Sequence, residues 1–590
     1  MNINKYPFFS NLNIYFARFI SKLANNKSYE LYLASALVSL WTEKGNICLD
    51  LNTISEKALS KIISDENIFD YKENLICPEL SSWVNKLQLS GIVGKAGETA
   101  PLILDEKNRL YLYRYYDYEK ELSKNLKKRM ILNEDIDYNI LHKGLEKFFP
   151  NDCTDIIDYQ RIAAKTALTK RICIISGGPG TGKTTLITKI LALLLELNEK
   201  DITFALATPT GKAAARLEES IIAAKKDLIC SERIKNKIPE NASTIHRLLE
   251  SISYSPYFRY NKNNPLPIDV VVIDEASMVD LALMSKLVQA LPENSKIILL
   301  GDKDQLASVE AGSVLGDLCN IPQYYKKINS NPIELENCIV FLKKNYRFGD
   351  DKSIIKVSKE VNKGNGEIAI SIMKKSTDKQ IEFFDIFQSN DLMQILSNEI
   401  SLEYSAYLKT DNINNAFNFF NSFRILCAVK NGNFGVLNIN KLVEQILYKK
   451  GLIKLEGQWY HGQPIMITRN DYQLNLFNGD TGIIFYDKES RGLRAFFKTG
   501  NNFKKIILPA LPEHETVFAM TVHKSQGSEF DRIILLLPDI VYPVMTRELV
   551  YTGITRAKTN VKIFGSASVF CETVKKKIIR SSGLLDDLFE

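Results

Sequence analysis

Several things are missing from this sequence, and each absence removes a class of protein. Its 9 cysteines are scattered, with no C-x-x-C pair. A zinc site and a disulfide framework are therefore not expected, and reduced thiols in a cytoplasmic protein are. No apolar run approaches the roughly 20 residues of a membrane helix, and the longest, Ile190 to Leu197, falls far short. Met1 to Phe9 holds a Lys and a Pro but no apolar core, so no N-terminal signal is expected. Internal repeats and low-complexity tracts are absent. So is any strong charge bias: 76 basic against 69 acidic residues leave +7, which permits a polyanionic partner without arguing for one.

What is present is an ordinary globular composition, 45% hydrophobic and 25% charged, over 590 residues. That length predicts several domains. The most informative stretch is Ser176-Gly177-Gly178-Pro179-Gly180-Thr181-Gly182-Lys183-Thr184-Thr185, a full G-x-x-x-x-G-K-[ST] match. A short apolar run, Arg171 to Ser176, precedes it as a strand, and Leu186 to Leu197 follows as a helix. Glycines let backbone N–H groups turn inward around phosphates, and the helix N-terminus adds partial positive charge. Lys183 is expected to reach the β- and γ-phosphates of ATP and the Thr184 hydroxyl to bind Mg²⁺. A turn that binds nothing is the competing reading, and the strand–loop–helix context weighs against it.

Val270-Val-Val-Ile-Asp274-Glu275 is an apolar strand ending in two carboxylates. At the C-terminal edge of a parallel sheet, Asp274 is placed to hold Mg²⁺ and Glu275 to activate water. Leu299-Leu-Gly301-Asp302-Lys-Asp-Gln305 is a further strand with a polar tip, where Gln305 could sense the γ-phosphate. Arg347 and Arg556 are candidates for a cation delivered from a far lobe to the charge building on that phosphate. Any one of these alone could be a plain turn or a surface ion pair; their succession is what carries the reading.

Residues 1 to about 115 have no nucleotide motif. Helical spacing runs through Tyr29 to Trp41, and Ala100 to Asp105 with Leu110 to Arg114 reads as a strand pair. The basic stretch around Lys127-Lys128-Arg129 reads as a solvated linker face rather than a DNA patch. From about 150, strands and helices alternate, the pattern of a parallel α/β sheet. A second strand series, starting near Phe341, predicts a second similar lobe. Short β-like runs around Asn478-Gly479-Asp480 predict a small β insertion with a hairpin turn. The divisions expected are therefore 1–115, 116–335 and 336–590, with an insertion over about 435–512.

The ordered motifs resemble the superfamily 1 helicase motor. Asp158-Tyr-Gln160 stands where that family reads adenine. Ala207 to Leu217 (with Thr210 and Lys212), Ser243 to Leu248 (with His246), Asp274-Glu275, Gly301 to Gln305, Tyr346-Arg347, Thr521 to Phe530 (with His523 and Glu529) and Tyr551 to Lys558 follow in the family's order. The wording is most similar to the RecD branch, the alpha chain of exodeoxyribonuclease V. Asn470 to Asp480 resembles its SH3-like subdomain, and residues 1–115 its short N-terminal domain.

That resemblance implies two RecA-like α/β lobes with an SH3-like insertion, beside a mostly helical N-terminal domain that docks on a RecC-like subunit. It also implies 5′→3′ translocation on single-stranded DNA from duplex ends, with a RecB-like partner on the other strand, for degradation and recombinational repair. By analogy Thr210, Lys212, His246 and His523 contact the strand. Nuclease chemistry is expected in the RecB-like subunit, since no cluster of carboxylates with a nearby Lys stands outside the ATP site. A stand-alone RecD2-like helicase and an ATP-driven scaffold are the alternatives.

Overall fold

The computed structural model describes the chain except residues 1–7, 26–27, 60–61, 63–74, 133–135, 151–156, 199–200, 329–335, 350–351, 387–388, 456, 472, 501 and 590. The stretch considered for an N-terminal signal lies mostly outside the described residues. No described helix is long and apolar enough to cross a membrane.

The N-terminal region opens with two packed helices, Asn11–Leu23 and Tyr29–Glu43. The first starts at Ser10, whose hydroxyl accepts from the Asn13 N–H while the Asn13 side chain accepts from the Ser10 N–H. This reciprocal cap satisfies donors that a helix end leaves open. Beside them lies a four-stranded sheet of β1 (Cys48–Asp50), β2 (Val93–Lys95), β3 (Leu102–Leu104) and β4 (Arg109–Leu112), in the order β1-β4-β3-β2. Trp83, Leu37 and Leu110 fill the core between them. The helix Tyr113–Ile131 then leads into the first lobe, where Leu122, Leu126 and Met130 are buried in the lobe's core. Arg129 departs from the expected solvated face: it is buried, and its guanidinium donates to the Leu291 and Pro292 carbonyls.

The first lobe is a six-stranded parallel sheet of β5 (Ile172–Gly177), β6 (Phe204–Thr208), β7 (Ala242–Thr244), β8 (Val270–Ile273), β9 (Lys296–Gly301) and β10 (Ile339–Leu342). Its order is β10-β5-β9-β8-β6-β7. The run at Phe341 thus does not begin the second lobe; it pairs with β5, Phe341 opposite Ser176, and closes the first sheet's edge. The second lobe begins its sheet with β11 (Ile381–Asp385) and β12 (Phe423–Cys427). Five strands of an insertion follow: β13 (Gln463–Ile467), β14 (Thr481–Asp487), β15 (Gly492–Thr499), β16 (Asn502–Ile506) and β17 (His514–Thr516). The lobe's own sheet resumes with β18 (Ala519–Thr521), β19 (Phe530–Leu536) and β20 (Ala557–Gly565) in the order β11-β20-β19-β12-β18, all parallel.

The inserted sheet is antiparallel, ordered β16-β15-β14-β13-β17. It starts later than residue 435. The helix Val436–Lys449 buries Val436, Ile439 and Val443 in the second lobe's core and so belongs to that lobe. Nor is Asn478-Gly479-Asp480 a two-residue hairpin turn. It ends a longer excursion from Ile467 to Thr481, pinned by the Asp471–Leu476 backbone pair.

The end of the chain also leaves the second lobe. After the helix Ala567–Lys575, residues 576–583 run back, and the helix Leu584–Phe589 buries Leu584 and Leu588 in the first lobe's core. The Ile47 N–H donates to Ser581 O at 2.9 Å, and Lys120 pairs with Asp587 at 2.5 Å. This strap joins the two lobes a second time.

Candidate nucleotide-hydrolysis site

β5 is wholly buried and delivers the chain into the phosphate loop at Gly177. Gly180 and Gly182 take φ values of +82° and +77°, the left-handed region that favours glycine. Side chains are also excluded there by crowding. A Cβ at Gly180 would lie 2.6 Å from Arg347 Cβ, and one at Gly182 would lie 2.7 Å from Gln160 Nε2. The helix Lys183–Leu197 starts directly behind, and Lys183 Nζ donates to Gly177 O at 2.6 Å and Gly178 O at 3.3 Å. Gln160 lies against the phosphate loop, donating to Thr181 O at 3.1 Å.

β8 ends at Asp274 and Glu275. Burial, and then the Glu275 carboxylate, push the Asp274 carboxyl above its usual range, while Lys183 opposes them. Glu275 is a non-glycine residue at φ +53°. Such a conformation costs a non-glycine residue on the order of 1–3 kcal/mol.

A cavity of about 890 Å³ opens between the lobes. Residues 179–185 line it, together with Asp274, Glu275, Gln305, Arg347 and Arg556. Every predicted catalytic residue thus faces one space, though the two arginines arrive differently than expected. Arg556 comes from the second lobe, just past the helix Arg547–Ile554, and its Nη2 donates to Gln305 Oε1 at 2.7 Å. Arg347 does not come from the far lobe. It sits on the segment leaving β10, where Tyr346 N donates to Gly180 O at 2.8 Å and Asn345 Nδ2 to Pro179 O at 2.8 Å.

Two residues that the sequence carries only as members of longer motifs, Arg216 and Glu529, complete the charge pattern. Glu529 accepts from Arg347 Nη2 at 2.7 and 2.8 Å and pairs with Arg216 at 2.5 Å. Burial alone would raise its pKa, but Arg216 and Arg347, with Arg556, hold it at about 2. Arg216 lies one helical turn beyond Lys212 on the helix Gly211–Lys226 and so shares its face. That spacing could have flagged it. Glu529 ends the Thr521 to Glu529 segment of the motif, but its arginine partners come only from what folds opposite it.

The four expected strand contacts are not brought to one surface. Thr210 caps the helix Gly211–Lys226, accepting from Ala213 N at 3.3 Å. Lys212 lines the interlobe cavity, where burial, then Arg424, lower its pKa to about 8. His246 packs edge-on against Phe258 with ring centroids 5.7 Å apart, in a separate hollow with Arg114 and Tyr257. His523 opens a short turn, and burial, followed by Arg580, lowers its pKa. Arg247, beside His246, stacks over the Phe477 ring at 4.1 Å, so the long loop of the insertion reaches across onto the first lobe.

Three family descriptions match the chain: "RecBCD enzyme subunit RecD, N-terminal domain" over residues 7–111, "AAA domain" over 160–311, and "UvrD-like helicase C-terminal domain" over 516–563. The RecBCD enzyme subunit RecD of Haemophilus influenzae is 34% identical, with 97% of each chain covered. That of Mycobacterium tuberculosis is 32% identical over 97% of this chain and 93% of its own. An ATP-dependent RecD2 DNA helicase of Deinococcus radiodurans is 27% identical, but the match covers 70% of this chain and 50% of that protein.

Proposed function

The chain belongs to the family of the RecBCD enzyme subunit RecD, and from that premise we propose how its residues share the work of an ATP-dependent DNA helicase subunit. The observation that carries the assignment is the single cavity in which Lys183, Thr184, Asp274 and Glu275 of one lobe meet Arg556 of the other. Gln160 reads the base of ATP, residues 177–185 cradle its phosphates, and Lys183 neutralises the β- and γ-phosphates. Thr184 and Asp274 form a hard oxygen donor pair, one hydroxyl and one carboxylate, suited to Mg²⁺. Mg²⁺, when bound, offsets charge developing on the transferred phosphoryl group. Glu275 takes the proton of the attacking water, while Arg347 and Arg556 stabilise the equatorial oxygens.

Hydrolysis is coupled to movement through the lobes' relative position. Gln305, bonded to Arg556, connects the γ-phosphate position to the second lobe. Translocation runs 5′→3′ on a single strand. The partners are RecB-like and RecC-like subunits, nuclease activity resides in the RecB-like one, and the assembly works in the cytoplasm. The N-terminal region supplies a docking face: Leu12, Tyr15, Phe19 and Leu23 form an exposed apolar stripe along the outer side of the first helix, each more than half exposed. A stand-alone RecD2-like mode has less behind it, since the RecD2 relative is matched over half its length.

The test is ATP turnover with and without single-stranded DNA, for the chain and for Lys183→Gln. Turnover that rises with DNA and disappears in the variant supports the motor. Turnover indifferent to DNA, alone and with RecB- and RecC-like partners, returns the chain to the scaffold reading.

A further inference from the structure

Gln305 touches more than Arg556. Its Nε2 donates to Asp302 Oδ2 at 3.0 Å. The same oxygen accepts from the hydroxyl of Tyr551, also at 3.0 Å. Asp302 Oδ1 accepts from the Asp304 N–H at 3.1 Å. Asp302, Gln305, Tyr551 and Arg556 are each at most 6% exposed. Tyr551 and Arg556 belong to the second lobe and stand five positions apart, at the end of one helix and just beyond it. Asp302 and Gln305 belong to the tip of β9 in the first. The second lobe therefore grips this tip at two points, with Tyr551 holding Asp302 and Arg556 holding Gln305.

The chemistry leaves no freedom in how the glutamine amide is turned. A guanidinium can only donate, so Gln305 must offer Arg556 its oxygen. A carboxylate can only accept, so Gln305 must offer Asp302 its nitrogen. Burial pushes the Tyr551 hydroxyl well above its ordinary pKa, which keeps it a donor at all working pH values. Were Asp302 not held as the acceptor, the amide could rotate and present its NH₂ to Arg556, breaking a charge-assisted bond in a buried site. Tyr551 also bears on the phosphate loop itself. A Cβ at Gly178 would lie 2.9 Å from its hydroxyl oxygen. Two flanking bonds hold the same register: Leu306 N donates to Thr552 Oγ1 at 2.9 Å, and Gln526 Nε2 donates to Leu306 O at 3.0 Å.

We infer that Asp302 and Tyr551 are positioning residues for ATP hydrolysis: they fix the Gln305 amide so that it holds Arg556 at the phosphate only when the second lobe is docked against the loop at Gly178. Neither touches the reacting atoms. This rests on the ATP-driven motor reading given above and adds the device by which lobe docking and finger placement become one event.

The experiment is steady-state ATP hydrolysis by the full chain across ATP concentrations, with and without single-stranded DNA, for wild type, Tyr551→Phe, Gln305→Ala and the double variant. Tyr551→Phe is expected to keep KM for ATP within about twofold and to lower DNA-stimulated kcat about tenfold, a loss of about 1.4 kcal/mol. Because Tyr551 acts through Gln305, the double variant should be no slower than Gln305→Ala alone. Losses that multiply in the double variant, or a raised KM with unchanged kcat, would overturn the inference. Asp302→Asn, whose amide no longer forces the Gln305 orientation, is expected to reproduce the kcat loss and serves in its place should Tyr551→Phe not melt cooperatively. Wild-type turnover that ignores DNA would instead count against the motor reading. A DNA-stimulated wild type with an unaffected Tyr551→Phe overturns only the positioning role.

Discussion

The two lobes share a parallel sheet but use the same junction for opposite ends. In the first lobe β5 runs into a glycine loop that leaves the space beside it open, and the helix Lys183–Leu197 aims its N-terminus into the interlobe cavity. In the second, β12 runs into residues 428–435 and the helix Val436–Lys449. There the loop turns inward: Phe434 is 4% exposed and packs into the lobe's own core. One loop faces the interlobe cavity and the other faces its own core. A strand–loop–helix unit is therefore not a nucleotide site by architecture alone. The second lobe contributes to the site only through what it presents across the seam, chiefly Arg556, Glu529 and Tyr551.

The largest expected break in this comparison is Arg556→Ala. If the second lobe's contribution is a finger, kcat should fall by about 10³–10⁵ with ATP binding largely kept. ATP affinity lost in parallel would make it a binding residue and the lobes more alike than described. Next comes a matched pair of glycines. Gly180→Ala forces a residue at φ +82° against Arg347 and should abolish tight nucleotide binding, measured with a fluorescent ATP analogue. Gly432→Ala, at φ +91° in the second lobe's loop, should leave nucleotide affinity unchanged and cost about 1 kcal/mol of stability.

Phe434→Ala sharpens the contrast from the packing side. Emptying that position should destabilise the second lobe by about 3–5 kcal/mol in denaturant unfolding, without altering nucleotide affinity measured under folding conditions. A change in affinity at constant fold would mean the second loop talks to the site after all.

The smallest effect concerns the strap that rejoins the lobes. Glu119 accepts from the Ser582 hydroxyl at 2.8 Å and the Gly583 N–H at 2.9 Å. Burial, then Asp587, push its pKa to about 7, and burial, then Glu119, do the same for Asp317. Both acids are raised in the folded chain, so between the unfolded value near 4 and about 7 the folded state binds more protons than the unfolded one. Stability from this cluster is therefore full at low pH and lost as pH rises through 7. Hydrogen exchange at residues 580–589 should be faster at pH 8 than at pH 6 beyond the intrinsic rate difference, and Glu119→Gln should remove most of that dependence.

Much of the site was legible because its signals are local. A phosphate loop needs glycines at fixed offsets between a strand and a helix, and all of them are adjacent in the chain. The carboxylate pair after β8 and the polar tip after β9 are equally local, whereas Gln160 is marked only by the family resemblance. The differences have one source. The run at Phe341 carries no record of its partner, and only pairing with β5 reveals that it closes the first sheet. Which lobe supplies Arg347 is hidden in the same way. An amphipathic face such as that of the helix Val436–Lys449 does not say which core it covers.

By itself, then, the sequence determined the phosphate loop and which residues stand at the strand ends, since these follow from periodicity and turn chemistry over a few residues. Tertiary structure alone decided how those residues are partnered. Gln305 meets Arg556 from 251 positions away, Arg347 meets Glu529 from 182, and Arg109 meets Asp586 from 477. No local pattern encodes such pairs. They form because burial removes water as a partner, and the penalty for an unpaired buried polar group then favours the fold that brings protein partners to it.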